Sequence, residues 1–398
     1  MSILFEESME IKEFERKRKE DCPVLAICYD FDKTLSPDDM QAQGYIQSVH
    51  CDVAEFWRES NKLAEENDMD QNLAYMYKMK LEAEGKQVFT KKQLQEHGKT
   101  VSLFPGVEDW FERIRDYGEQ QGVKVEHYII SSGLKEMIEG TSVAMAGAFE
   151  KIYASSFFYN ENGVAVWPAQ VVNYTNKTQF LFRIEKGVLD VNDPSVNMHF
   201  APEDVRIPFR NIVYIGDSDT DVPCMKLVNT YGGHSIGVFN EESEDKTKVF
   251  QMMRDERIKY FVPANYSEGK PLDCLLKKII DKTAATEKLE SIHYKDKKEF
   301  LEIEKEKDNS ETERKEAILA LSSSWSFANT HAVIKMLKKY EGWSEKEVES
   351  LMDIAINNNQ VKYILTDSDV KAFYLSLLNG LPEPLSECAE EVKNLLDE

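Results

Sequence analysis

No apolar run in this 398-residue chain reaches the ~20 residues that a bilayer-spanning helix needs. The N-terminus, Met-Ser-Ile-Leu-Phe-Glu-Glu, has neither the basic start nor the apolar centre of a secretory signal. The expected setting is therefore the cytoplasm, without a membrane partner. Basic residues are also short: 49 Lys and Arg stand against 72 Asp and Glu, for a formal net charge of −23. Phosphate backbones are held by clustered Lys and Arg, so nucleic acid is not an expected partner. Cysteine is sparse as well. Its six positions (Cys22, Cys28, Cys51, Cys224, Cys274, Cys388) form no C-x-x-C pair and meet no His at zinc-finger spacing, which argues against a disulfide framework and a zinc site. What the chain does have is 42% hydrophobic and 11% aromatic residues, enough for one sizeable core and a smaller second domain.

Residues 24–29, Val-Leu-Ala-Ile-Cys-Tyr, form a short continuous apolar run of the kind that becomes a strand covered on both faces. Similar runs occupy 125–130, 211–215, 235–239 and 260–262. Between them lie helically spaced sets such as Trp110, Phe111, Ile114, Tyr117 and Phe180, Leu181, Ile184. Strands alternating with helices predict an α/β domain with a Rossmann-like parallel sheet. Two stretches interrupt it. Over 36–100 the strand signal gives way to helical patterning (Ile46, Val49, Val53, Phe56; then Leu73 to Leu81), an inserted helical subdomain. Over 157–167, Asn162-Gly163 separates two aromatic or β-branched runs and predicts a hairpin.

The predicted layout is an α/β core at 1–35 and 101–282, the insertion at 36–100, a charged helix or linker at 283–314, and a C-terminal all-α module at 315–398. In that module Ser344 reads as an N-cap with Glu347 completing a capping box and Trp343 stapled to Val348. Another helix starts near Asp367 and stops before Gly380.

In open α/β sheets ligands bind beyond the carboxyl ends of the strands. Three of the predicted strands deliver polar groups there: Asp30 and Asp32, then Ser131, then Asp217, Asp219 and Asp221. Any one alone reads equally well as a turn or helix-capping residue. Together they converge carboxylates whose repulsion a divalent cation relieves. Oxygen ligands without His or Cys favour Mg²⁺ over zinc. The stretch from Asp217 begins like an EF-hand loop, but Val222 and Val228 stand where that loop needs Gly and Glu, which removes calcium.

Asp30-Phe31-Asp32-Lys33-Thr34 resembles the D-x-D-x-T signature of the haloacid dehalogenase-like (HAD) superfamily. The strand ending in Ser131 resembles its second motif, and 216–221 its acidic fourth. The resemblance spans about residues 20–282 and is nearest in layout to the phosphoserine phosphatase-like branch, in which the insertion at 36–100 is a helical cap. It implies an aspartyl-phosphate mechanism. Asp30 is the implied nucleophile. Asp32 is the implied acid/base, with its backbone carbonyl on Mg²⁺. Thr34 and Ser131, with Ser132 and Gly133, position the phosphoryl group; Asp30, Asp32, Asp217 and Asp221 hold the metal, and Asp219 faces solvent or lies outside the ligand set. The implied phosphate-binding lysine is Lys177 or Lys186. Lys177 opens a predicted helix, where a cation opposes the macrodipole unless it meets phosphate, and is the one expected. The stretch 187–208 is long for its place between motifs.

A dehalogenase would lack Asp32, and an ion-pumping ATPase needs membrane spans. The expected activity is a Mg²⁺-dependent phosphatase acting on a small phosphomonoester, with a phosphomutase as the alternative. A cap excludes water and large substrates. Its Arg58, Lys62 and Lys78 either recognise a substrate carboxylate or second phosphate, or are solvated helix faces. A reading of another class has the protein sense a phosphorylated ligand and dock a partner, or a second copy, through Trp325, Phe327, Trp343, Phe373 and Tyr374. Those aromatics otherwise form the core of the C-terminal module.

Overall fold

Each apolar run forms a strand of one seven-stranded sheet in the computed structural model, which describes residues 14–243, 246–324, 326–381 and 384–397. The strands are β1 Val24–Tyr29, β2 Lys124–Leu134, β3 Lys151–Tyr159, β4 Ala165–Gln170, β5 Ile212–Gly216, β6 His234–Phe239 and β7 Tyr260–Pro263. Their order is β4-β3-β2-β1-β5-β6-β7, parallel throughout except for the antiparallel β3–β4 pair. All six β1 side chains are buried. Leu25, Ile27 and Tyr29 enter one core and Val24, Ala26 and Cys28 the other, because side chains alternate across a strand. That is why the run reads as continuous rather than alternating in sequence. The chain leaves β1 towards β2 and returns on its other side as β5, so strand order reverses at β1 and opens a crevice at its carboxyl end.

The hairpin forms, with Gly163 at φ +72° and Asn160 N–H donating to the Val164 carbonyl at 3.0 Å. Its first strand begins earlier than the aromatic run suggests. Residues Lys151 to Ser155 pair with β2 in parallel before Ser156 to Tyr159 turn to β4. One segment serving two partners, with serines at its middle, leaves no clean periodicity to read.

The insertion is helical, with helices Tyr45–Ser48, Val53–Glu66, Gln71–Ala83 and Lys91–Gly98. Three start on side-chain caps: Asp52, Asp70 and Thr90 each accept a backbone N–H of the first turn, removing an orphan donor. The last of these helices packs backbone to backbone on the core. A Cβ on Gly98 would lie 2.0 Å from the Met137 carbonyl oxygen, and one on Gly140 would lie 2.0 Å from that of Gln95.

The stretch 187–208 is a folded loop of short 3₁₀ turns. Arg183 donates to the carbonyls of Asp190 (2.6 Å) and Val191 (2.7 Å), and Lys186 to those of Val196 (2.7 Å) and Met198 (3.0 Å).

The chain forms two compact units that divide between Ser291 and Ile292. Helix Pro271–Ser322 takes in the charged stretch and gives Leu272, Leu276, Ile279 and Ile280 to the first unit's core. The second unit is all-α, with helices Phe327–Leu337, Glu345–Asn357, Asn359–Tyr363, Ser368–Leu378 and Glu387–Asp397. Ser344 and Glu347 make the expected capping box. Phe373 and Tyr374 lie in its core, Trp343 packs against it, and Phe327 is exposed; Trp325 lies outside the described residues. No helix among the described residues is long and apolar enough to cross a membrane.

Candidate active site

The crevice at the end of β1 collects Asp30, Asp217 and Asp221, each offering a carboxylate oxygen within 4.8 Å of the others. Asp30 follows β1 directly, where its Oδ1 accepts the Phe31 amide at 2.8 Å. Lys177 is wholly buried and lies between two of the three, 3.3 Å from Asp30 Oδ2 and 2.8 Å from Asp221 Oδ1. It stands immediately before helix Thr178–Lys186. Lys186, at that helix's other end, is spent on loop carbonyls.

Asp221 is the most constrained of the carboxylates. Its Oδ1 also accepts Tyr214 OH at 2.8 Å, and its Oδ2 accepts the Ser218 amide and hydroxyl at 3.0 and 2.9 Å. Asp217 is half-buried and touched at 3.4 Å by the Thr34 hydroxyl. Asp219 is exposed. Asp32 is not one of the three converging carboxylates; its Oδ1 accepts the Met40 amide at 2.8 Å, and it feels the Asp30 charge. Ser131 lies close enough to Asp30 to favour its ionised carboxylate and accepts the Gly133 amide at 3.1 Å. At Gly133 a Cβ would meet Met40 Cε at 2.4 Å and Asp32 Oδ2 at 2.8 Å, so glycine there lets the second aspartate approach β2. Thus Asp30, Ser131, Lys177, Asp217 and Asp221 are brought together, Thr34 touches the group through Asp217, and Asp32 and Gly133 border it. The Ser132 carbonyl accepts Tyr75 OH (2.8 Å) from the cap and Ser155 Oγ (3.1 Å) from β3.

The haloacid dehalogenase-like hydrolase family model matches residues 27–226, half of the chain. The chain belongs to this family. It is also 26% identical over 275 residues, 63% of this chain and 94% of the relative, to an uncharacterized protein of Borreliella burgdorferi. Among solved structures it is similar to a HAD family hydrolase from Salmonella enterica serovar Typhi (TM-score 0.44, 16% identity, 66% of this chain and 73% of that one). It is similar too to a phosphoserine phosphatase holding a phospho-aspartyl intermediate analogue (TM-score 0.40, 14% identity, 64% of this chain and 99% of that one). These are partial likenesses, and the family assignment rests on the sequence match.

The electrostatics of this HAD-like site are those of a cation receptor. Burial raises the Asp30 and Asp217 carboxyls, and the neighbouring Asp221 charge raises them further; Lys177 opposes this at Asp30. Burial also raises Asp32, with Asp39 and Asp30 adding to it. Three carboxylates converge on a point where one ammonium contacts two of them, an imbalance that a divalent cation among their oxygens would offset. The donor set is all oxygen, as a hard cation requires.

Sequence reasoning passed over Tyr214, Ser218 and Thr220 in the HAD-like hydrolase. Tyr214 carries Asp221, and the Thr220 hydroxyl accepts Lys177 at 3.2 Å. Ser218 and Thr220 stand inside the acidic motif and were findable as the polar residues between its aspartates. Nothing in the sequence marks Tyr75, whose place follows from how the cap helix lies on β2. The cap cations that were candidates for the substrate are committed elsewhere: Arg58 to Glu55 (3.0 Å), Lys62 to Glu66 (3.6 Å), and Lys78 to Glu59 and Glu82 (2.6 Å each).

Proposed function

We propose that this HAD-like hydrolase is a Mg²⁺-dependent phosphatase of small phosphomonoesters, working through an aspartyl-phosphate. The observation that carries the reading is the buried Lys177 ammonium held between Asp30 and Asp221 beside Asp217. A cation at the mouth of a parallel-sheet crevice meets a phosphoryl oxygen, while an adjacent unprotonated carboxylate is the nucleophile. Asp30, Asp217 and Asp221, with the Asp32 carbonyl, are the residues for the metal. When bound, Mg²⁺ neutralises phosphoryl charge.

An Asp30 oxygen forms a bond to phosphorus as the bond from phosphorus to the leaving oxygen breaks. Asp32, whose proton affinity burial and the neighbouring Asp39 and Asp30 raise, gives a proton to that oxygen, and the alcohol departs. In the second half Asp32 takes a proton from water as the water oxygen bonds to phosphorus. The Asp30–phosphorus bond breaks, and inorganic phosphate leaves. Lys177 holds a phosphoryl oxygen throughout, while Ser131 fixes Asp30.

The test is turnover of an aryl phosphate. Activity should require added Mg²⁺ and disappear with a chelator, and Asp30→Asn should lower kcat by at least ~10³-fold. Equal turnover in that variant would remove Asp30 as nucleophile.

A further inference from the structure

Within the charged stretch of helix Pro271–Ser322, four large apolar side chains stand in solvent: Leu289 (69% exposed), Ile292 (57%), Phe300 (59%) and Ile303 (48%). An α-helix turns about 100° and rises about 1.5 Å per residue. All four, with the exposed Asp296 between them, therefore fall in one row about 80° wide and about 21 Å long. The row is an 11-residue repeat, Leu289 and Ile292 recurring as Phe300 and Ile303, and that period closes on about three turns, so it runs nearly straight along the helix. Exposed apolar residues are ordinary singly; a contiguous row of them marks an interaction surface. The same geometry sets Lys288, Lys295, Glu299 and Glu302 on one flank of the row, all of them exposed. Along the chain their signs are two positive, then two negative.

We infer that residues 288–303 are a homodimer interface, on which a second copy of this chain packs its own row antiparallel. With the twofold axis at Asp296, Leu289 lies opposite Ile303 of the copy and Ile292 opposite Phe300, each contact made twice. An antiparallel twofold also brings a flank against its own reversed copy. Lys288 then meets Glu302 and Lys295 meets Glu299, so the inverted order of sign along this flank is the order that such an axis requires. In its own chain Glu302 reaches Lys298 at 4.0 Å, a contact between largely exposed side chains that costs little to exchange. Asp296 sits on the axis opposite itself. One polar residue in an apolar seam fixes register at some cost in stability, and sliding the copy along the row would set Asp296 against an apolar side chain instead. An unrelated partner would have to supply both the apolar row and the reversed charges; this face supplies both to itself.

Sedimentation velocity of the full chain over a range of concentrations tests this, and should show a reversible dimer. Ile292→Ser combined with Phe300→Ser changes two exposed positions; it should keep the helical circular dichroism and raise the dimer Kd at least about a hundredfold. Lys288→Glu and Glu302→Lys should each weaken the dimer roughly tenfold, and the two together in one chain should restore it, because each reversed residue again faces its opposite. Asp296→Leu should tighten it. A chain that stays monomeric at every concentration overturns the inference and leaves the row to a different protein or to none. A dimer indifferent to the Ile292 and Phe300 changes overturns it too, since the copies would then meet elsewhere. A double charge reversal as weak as the single ones overturns the antiparallel arrangement. None of these readouts involves turnover, so failure here leaves the phosphatase reading untouched.

Discussion

Lys177 shows what a single buried charge does at this site. Its ammonium has no solvent contact and two carboxylate neighbours, and those attractions, against the cost of burial, hold its proton more tightly than in a free lysine. It stays cationic at any pH the protein meets. Removing one member of a buried pair strands the other charge in low dielectric, at a cost of ~3–5 kcal/mol. Lys177→Met should therefore lose stability of about 3 kcal/mol by denaturant unfolding and lose turnover of an aryl phosphate. Lys186→Met provides the contrast. That lysine holds the carbonyls of Val196 and Met198 on a surface loop, so its loss should slacken 187–208 and leave turnover in place. If Lys186→Met were the inactive variant, the lysine assignment would be reversed.

At the scale of elements, the sequence was most legible where one physical requirement dominated. The six residues of β1 needed only to be apolar on both faces, and their run stops where the buried strand ends, at Asp30. The pairing of Asp30, Ser131, Asp217 and Asp221 followed because strand ends in a parallel sheet converge by construction. Legibility failed where an element served two partners or where contact came from docking. β3 splits between β2 and β4, and Tyr75 owes its bond with Ser132 to the angle of a cap helix, which no local pattern encodes. A different helix of the insertion, Lys91–Gly98, has a visible cause for its seat on the core in Gly98 and Gly140. Each stands where a methyl group would sit 2.0 Å from a carbonyl oxygen of the facing segment, so helix Lys91–Gly98 and the turn after Glu139 touch through backbone alone. Backbone cannot swing aside as a side chain can. Gly98→Ala and Gly140→Ala should each destabilise by ~2–3 kcal/mol, the upper part of the overpacking range. They should also raise KM for any substrate the cap covers, measured against an aryl phosphate. Wild-type stability in either variant would mean that the cap's last helix shifts freely on the core.

For the whole molecule, acid is the natural stress, since a chain of net charge −23 holds many carboxylates that must protonate as pH falls. One of them is decisive for the fold. Glu126, on β2 and 3% exposed, receives both terminal nitrogens of Arg206 at 2.8 and 2.7 Å and Tyr128 OH at 2.6 Å. Burial alone would raise this carboxyl; the hydrogen bonds from Arg206 and Tyr128, with the charges of Arg206 and Lys17, carry it from 4.5 down to about 2. A folded-state value below the unfolded one means stability that is present above pH 4.5 and lost as pH falls through about 2, on the order of 3 kcal/mol. His127 adds to acid sensitivity from the other direction. Burial and then the charge of Arg115 hold its imidazole neutral to about pH 3 against an ordinary 6.5, so the unfolded chain binds a proton that the folded chain refuses over that interval. Both proteins in a comparison of wild type with Arg206→Met share the His127 term, and the difference between them reports the Arg206 pairs, the buried one with Glu126 and the half-exposed one with Glu20 at 2.6 Å. At neutral pH the variant should be less stable by ~3–5 kcal/mol, because Glu126 is left ionised and buried without its arginine. On acidification a protonated Glu126 no longer needs that partner, so the gap should narrow once pH drops below the variant's raised carboxyl value and close as pH passes through about 2. Denaturant unfolding at a series of pH values reads this directly. A gap that stays constant down to the acid limit would show that Arg206 stabilises the fold by packing and not by its charge on Glu126.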